Sequence, residues 1–342
     1  MPPSPCPQEH PEPVGTGRIE FNPIGRTRVQ VVFDEPKMSS DGGALLLREA
    51  VEANGILDAM AAAVQDGRRQ QQVEHPLKEL LCQRTMQICH GYEDANDCNK
   101  LRNDVAFQVA AGHVPDGPPP ASQPTVSRLE NRVTRRDLIR LFYVFVDHFL
   151  ASYAKPPESI VIDMDPTPNR VYGDQQLAFF NAHYDAYCLM PFHVYEGLTG
   201  RLIATVIRPG KTPTKEEILA LLRRIVRRIR KRFPGTFLIF RADSHHTKPE
   251  VLDWLEANGV HYVPGLATNS VLQREVQPLL DRAARVHREQ WSPCRRFHSF
   301  TSAAGSWTRT RRVVARLEAT ALGTDRSEER SVGKECIAVC RS

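Results

Sequence analysis

Ser159-Ile-Val-Ile-Asp163-Met-Asp165-Pro-Thr167 and Thr236-Phe-Leu-Ile-Phe-Arg241-Ala-Asp243-Ser244 are the stretches on which the fold of this 342-residue chain turns. Each is a short apolar β-run that ends in carboxylate. Such a run predicts a buried strand whose C-terminal acid stands on the rim of a sheet. Asp163 and Asp165 are two residues apart on one strand and share a face. Carboxylates that converge on a sheet rim suit a hard divalent cation such as Mg²⁺, which prefers oxygen ligands. An isolated Asp-x-Asp is a weak signal, because such pairs also cap strand ends, so the surrounding elements decide its meaning.

Working outward, a second strand is expected over Tyr187–Tyr195 and a third over Arg201–Arg208, with Gly197 and Gly200 in the hairpin between them. A helix starts at Pro213-Thr214 and runs to Arg232. Its apolar stripe is Ile218, Leu221, Leu222, Ile225 and Ile229. Pro234-Gly235 ends it, and the fourth strand is 236–242. Lys248–Asn258 reads as an amphipathic helix closed by Gly259, and His261–Leu266 as a fifth strand. The order β-β-β-α-β-α-β is that of a ribonuclease-H-like mixed sheet, in which strands one and four are neighbours. That adjacency brings Asp163, Asp165 and Asp243 to one rim.

Ahead of this domain, residues 1–28 are expected to be a disordered tail, and Val29–Phe33 a short strand. Helices are expected over Ala44–Ala53, Pro76–His90 and Asn99–Ala111. Pro115–Pro124 reads as a proline-rich linker with a turn at Asp116-Gly117, followed by a helix capped by Thr134. Residues 29–155 form a mainly helical N-terminal domain, and Pro156-Pro157 marks the boundary. The ribonuclease-H-like domain covers 156–325, including a β insertion at about 270–325 suggested by alternation in Thr308–Leu317. Residues 326–342 show no periodicity. The fold class is thus α+β with α/β character.

The apolar fraction of 41% permits ordinary cores, and no run approaches the roughly 20 apolar residues that span a bilayer. The N-terminus lacks the apolar segment of a signal peptide, so a cytoplasmic protein without membrane contact is expected. The eight cysteines are scattered and read as thiols; Cys82, Cys89, His90 and Cys98 match no zinc-finger spacing. His245-His246 reads as loop. The net charge of +5 is mild, but its distribution is not even. Arg223, Arg224, Arg227, Arg228, Arg230, Lys231 and Arg232 crowd one helix, and Arg282, Arg285, Arg288, Arg295, Arg296, Arg309, Arg311 and Arg312 follow. Clustered arginine is either a solvated face or a footprint for phosphate. Tyr172-Gly173-Asp174-Gln175-Gln176 is a turn after strand one or a contact for nucleic acid.

The chain resembles DDE-type transposases of bacterial insertion sequences, most closely the family numbered thirteen-eighty. The resemblance is carried by Ser39-Ser-Asp-Gly-Gly43, Gln83-Arg84, Gly91-Tyr-Glu-Asp-Ala-Asn-Asp97, Leu101-Arg102, Ala121-Ser-Gln-Pro-Thr125 with Glu130-Asn131, Tyr172-Gly-Asp-Gln-Gln176, Phe180-Asn181 with Tyr184, Arg241-Ala-Asp-Ser244 and Asp253-Trp-Leu-Glu-Ala-Asn-Gly259. It covers about residues 30–325. It implies metal-dependent DNA strand cleavage and strand transfer, with Mg²⁺ (Mn²⁺ as the alternative) held by two aspartates and a later glutamate. The first aspartate is Asp165, which fits an Asp-x-Thr pattern with Thr167, or Asp163; the second is Asp243. Arg223, Arg224, Arg227, Arg228 and Lys231 would contact DNA. The implied partners are the element's terminal inverted repeats, bound by the helical N-terminal domain, target DNA, and a second copy in a homodimer. Localisation would be bacterial cytoplasm, on the nucleoid when DNA is bound. The departure is at the end: Glu318, Glu328, Glu329 and Glu335 do not stand in the context of the family's glutamate. The expectation is a truncated, catalytically impaired chain with an aberrant tail at 326–342. An inactive DNA-binding remnant, or a metal-dependent nuclease on the same fold, is the alternative.

Overall fold

A computed structural model of the protein describes residues 18–32, 39, 41–115, 117–267, 269–320 and 332–340. The expectations for residues 1–17, Asp116, Glu328 and Glu329 lie outside the described residues. The chain divides into two compact units, Met1–Val144 and Phe145–Ser342. The division falls inside a helix rather than at Pro156-Pro157.

In the first unit, β1 (Ile19–Ile24) and β2 (Thr27–Val31) form an antiparallel hairpin. This corrects the expectation of disorder up to residue 28. Gly25, at φ 58°, makes the turn that lets Phe21 and Val29 pair, and both pack on the helical core. Helices α1 (Gly43–Asn54), α2 (Ile56–Ala63), α3 (Leu77–Cys89), α4 (Cys98–Leu101), α5 (Val105–Ala110) and α6 (Gln123–Arg132) follow. The single helix expected over Asn99–Ala111 is two. Asp104 caps the second by accepting from the Phe107 N–H at 2.8 Å, so its backbone turns out of the helix. The proline-rich 115–124 segment is tied down at its end. Buried Gln83 on α3 donates to the Ala121 carbonyl at 2.8 Å and accepts from the Ala121 N–H at 2.9 Å. α7 (Arg135–Ala151) runs across the division between the units.

The second unit is built on a five-stranded sheet: β3 (Ser159–Pro166), β7 (Phe192–Glu196), β8 (Leu202–Val206), β9 (Phe237–Ala242) and β10 (His261–Tyr262). The order is β10-β9-β3-β7-β8, with β7 antiparallel to its neighbours and β3, β9 and β10 parallel. This is the ribonuclease-H-like arrangement. Strands one and four of the domain, β3 and β9, are adjacent as expected. The crossovers are α8 (Lys215–Arg232) and α9 (Pro249–Ala257). α8 begins at a capping box between Thr214 and Glu217 and buries the expected stripe.

The strand expected over Tyr187–Tyr195 is split. Its first part is β6 (Ala186–Leu189), which pairs with β4 (Asn169–Arg170) and β5 (Phe179–Asn181) in a separate sheet. The break falls at Met190-Pro191, where proline removes a ladder donor. The β insertion expected from residue 270 opens instead with a 21-residue helix, α10 (Ser270–Gln290). Asn269 caps it, and Leu272, Val276, Ala283 and His287 are buried at helical spacing. The expected strands follow as β11 (Cys294–Ser302) and β12 (Arg311–Thr320). Residues 332–340, which carry no legible pattern, form β13 (Val332–Cys340) against β12. No helix among the described residues is long and apolar enough to cross a membrane.

Buried Glu196, at the end of β7, accepts from the N–H groups of Val161 (3.1 Å), Leu198 (3.1 Å) and Thr199 (2.6 Å). One carboxylate thus closes the β7–β8 turn and holds it to β3. Leaving a buried donor unpaired costs about 1–3 kcal/mol. Glu196→Ala is therefore expected to lower the unfolding free energy by about 3 kcal/mol in urea titrations, and Glu196→Gln by less because it keeps an acceptor. A change within about 0.5 kcal/mol for the alanine variant would refute this role.

Candidate active site

β3 buries Ile160, Ile162 and Met164 on one face, and the alternate positions carry Asp163 and Asp165. In the parallel register Asp163 faces Arg241 and Met164 faces Ala242, so the next step brings Asp243 level with Asp165. The three expected acids therefore share one end of two neighbouring strands, and each has a different environment.

Asp163 lies within β3 and is paired with the Arg241 guanidinium. Gly197 leaves room for that guanidinium: a Cβ there would stand 2.9 Å from Arg241 Nη2. Asp243 follows β9 and caps the short turn Ser244–His246. Its carboxylate accepts from the His245 N–H (3.0 Å) and meets His245 Nδ1 (2.8 Å) and His246 Nδ1 (2.6 Å). An ionised carboxylate only accepts, so both Nδ1 atoms carry hydrogen. His246 is fully buried beside Phe192 and Phe240. Burial alone would raise the Asp243 pKa, but the bonds and charges of His246 and then His245 outweigh it and hold the carboxyl at about 2.

Asp165 has no hydrogen-bond or ion-pair partner among the described residues. Its pKa is raised, first by desolvation and next by the charge of Asp243, with Asp163 adding less; His246 and His193 pull the other way. Asp165 is exposed at the strand end and is the acid with free oxygens. A divalent cation fits here on this ground: an unpaired carboxylate beside a second one, both of hard oxygen, at a place where positive charge relieves repulsion. The acids do not join any group of three ligand atoms within 4.8 Å of one another among the described residues. Sequence reasoning missed the part played by His245 and His246; their position two and three residues after Asp243 was the available signal.

The basic helix is placed differently from the acids. Arg230 donates to the carbonyls of Pro234, Thr236 and Gly259, which precede β9 and β10. At its other end, Lys215 pairs with Glu250 on the first turn of α9, just beyond Asp243. The arginine-rich end of α8 thus lies at the start of the parallel strands, the end opposite the acids. Arg223, Arg224 and Arg227 are exposed, as is Lys231, whereas Arg228 is held in a two-bond pair with Asp147. Of the later arginines, Arg311 is buried and bound to Asp253 and Glu256 of α9. Tyr172 is exposed, and Gly173, at φ 108°, makes a turn beside it.

The two free-energy signs at the rim are opposite. A carboxyl raised in the folded state opposes folding once ionised, at pH above its usual value near 3.9. A carboxyl held at about 2 contributes stability that is complete above about pH 4 and is lost as pH falls towards 2. At pH 7, Asp165→Asn is expected to raise the urea midpoint and Asp243→Asn to lower it, with Asp243→Asn approaching the parent near pH 2. Shifts of the same sign at pH 7 would refute the assignment.

The family described as "Transposase DDE domain group 1" matches residues 21–328. Among solved structures, the cryo-EM structure of a piggyBac transposase synaptic complex with hairpin DNA is similar at 11% identity and a TM-score of 0.40. The similarity covers 87% of this chain and 60% of that chain, so it spans less than two thirds of the solved protein. No curated protein matches. With nine-tenths of its length inside the family match, the chain belongs to the DDE transposase domain family.

Proposed function

We propose that the protein is a DNA transposase that cuts the ends of an insertion sequence and joins them to target DNA, using Mg²⁺, or Mn²⁺ in its place. The observation that carries this reading is Asp165 and Asp243 side by side at the rim of β3 and β9. In the first step a water oxygen forms a bond to phosphorus and the P–O3′ bond breaks, leaving a 3′-hydroxyl. In the second, that hydroxyl oxygen bonds to a target phosphorus and the target's P–O3′ bond breaks.

Asp165 and Asp243 would hold the cation, which supplies Lewis-acid stabilisation of the charge that builds on the phosphate. Asp163 is assigned a positioning role, because Arg241 occupies it. The two histidines fix the Asp243 carboxylate and keep it ionised. Arg223, Arg224, Arg227 and Lys231 are assigned to the DNA backbone. A homodimer would pair two ends. Among the described residues the third acid of this rim, Asp163, is taken up by Arg241, and no three ligand atoms gather there; this favours, as a second reading, a protein that binds element ends without cutting them.

The test incubates the purified chain and Mg²⁺ with duplexes carrying the ends that flank its own reading frame, plus a supercoiled target plasmid. Nicking followed by joining is the expected result, reduced at least about a hundred-fold, roughly 2.7 kcal/mol of barrier, in Asp165→Asn and Asp243→Asn. Nicking without joining makes the protein a nuclease, and binding without nicking makes it an end-binding protein; either result overturns the proposal. In titrations of DNA binding at a series of salt concentrations, Arg223→Ala and Arg227→Ala are each expected to flatten the slope of log K against log salt by about 0.9.

A further inference from the structure

The first unit holds a cluster whose chemistry the transposition reading does not use. His75 stands just ahead of α3, Glu79 is in the first turn of α3, and His113 is in the loop after α5. Glu79 Oε1 is 2.5 Å from His75 Nδ1 and 3.0 Å from His113 Nε2. One ligand atom from each residue lies within 4.8 Å of the other two. The three side chains retain 11%, 22% and 12% of their exposure, so water screens them little.

The hydrogen positions decide what the cluster can be. His113 Nδ1 is 3.0 Å from the Pro118 carbonyl, which can only accept, so Nδ1 carries the hydrogen. In the neutral ring Nε2 is then a bare lone pair. That atom is buried and makes no well-formed hydrogen bond, although the Glu79 oxygen is 3.0 Å away. A nitrogen lone pair and a carboxylate oxygen repel one another unless something positive stands between them. The His75–Glu79 contact is already a hydrogen bond, and a proton on His113, which the Glu79 carboxylate favours, would relieve the other; a cation set among the three atoms would take the place of both protons.

We propose that His75 Nδ1, Glu79 and His113 Nε2 bind a zinc-type divalent transition-metal ion. Two imidazoles and one carboxylate are a recurrent zinc set, whereas Mg²⁺ avoids imidazole. Zinc–ligand bonds near 2.0–2.1 Å place tetrahedral donors roughly 3.3 Å apart, so the observed contacts need to widen by less than about 1 Å. The ion would pin the loop between α5 and α6 to the start of α3. The Pro118 carbonyl orients the His113 ring, as second-sphere acceptors of metal-bound histidines do, and Arg68 fixes the backbone at His75 through its carbonyl at 2.8 Å. A groove of about 360 Å³, lined by Arg68, Gln72, Glu74, His75 and Thr125 among others, opens beside His75 and leaves a path for the ion and for a water as fourth ligand. The rim acids are a separate site, where the unpaired ligand is the Asp165 carboxylate and the Nδ1 atoms of His245 and His246 are already bonded to Asp243.

The experiment strips the full-length protein with chelator, dialyses it against Zn²⁺ and measures bound metal, thermal midpoint and zinc X-ray absorption. One equivalent of zinc with two imidazole ligands is expected in the parent and in Asp165→Asn, which leaves His245 and His246 tethered to Asp243. Glu79→Gln and His113→Ala are expected to bind at least about tenfold more weakly and to lose the zinc-dependent rise in midpoint. Circular dichroism checks that the variants fold. Should neither fold, the absorption spectrum of Asp165→Asn carries the decision: two imidazoles support the site, and oxygen-only coordination overturns it. Unchanged zinc affinity in folded Glu79→Gln, or no zinc in the parent, overturns it as well and leaves a proton-bridged His–Glu–His cluster.

Discussion

Parallel pairing of β3 with β9 is the constraint from which the second unit follows. Its register runs from Ser159 opposite Phe237 to Met164 opposite Ala242. Ile160, Ile162 and Met164 on one strand and Leu238 and Phe240 on the other are fully buried. At about 25 cal/mol per Å² of apolar surface, each such side chain contributes roughly 1.5–3 kcal/mol to holding that register. A slip of one residue would turn these side chains outward and carry the acids inward, so burial and the site specify the same alignment. Two parallel neighbours also require a crossover, and α8 supplies it. The amphipathicity of α8 is thus a consequence of the pairing as much as a feature of its own.

That register sets three carboxylates together, and the protein compensates them unequally. Arg241 neutralises Asp163, and two imidazoles and a backbone N–H hold Asp243. Asp165 receives nothing and carries the raised pKa. The inequality has a simple reading. Groups that are fully paired contribute stability, and a group left unpaired beside other acids opposes folding until a cation arrives. The one acid that the fold does not satisfy is the one with oxygens to offer.

Much of this was legible in the linear sequence because it depends on local pattern. The apolar runs before Asp163 and Asp243, the stripe of α8 and the glycine-closed end of α9 are short-range signals. The choice between Asp163 and Asp165 was not, because it turns on Arg241, a residue 78 positions from Asp163. The tethering of Asp243 needed the turn geometry that points both Nδ1 atoms back at it. The β6–β7 break at Pro191, the hairpin at Gly25 and helix α10 depend on single turn and cap residues that apolar alternation overrides on paper. His75, Glu79 and His113 form no local motif, since His113 comes from a separate loop. Conversely, the crowding of arginines on α8 was easy to see but said nothing of where that helix end would lie.

Its placement limits what those arginines can do. An 18-residue helix is about 27 Å long, and the arginine-rich end of α8 is the end away from Asp165 and Asp243. At physiological ionic strength charges are screened over about 8 Å, so these arginines exert little field on a phosphate reacting at the acid rim. They are too far away to neutralise charge on a phosphate held there. Arg223 to Lys231 stand roughly 12–24 Å along the helix from Lys215, so a DNA duplex reaching both places would extend over roughly four to seven base pairs at 3.4 Å each. Under the proposed reaction, α8 therefore acts on affinity and on how far the duplex is gripped from the point of cutting. The chemistry is left to the few side chains that β3 and β9 bring together.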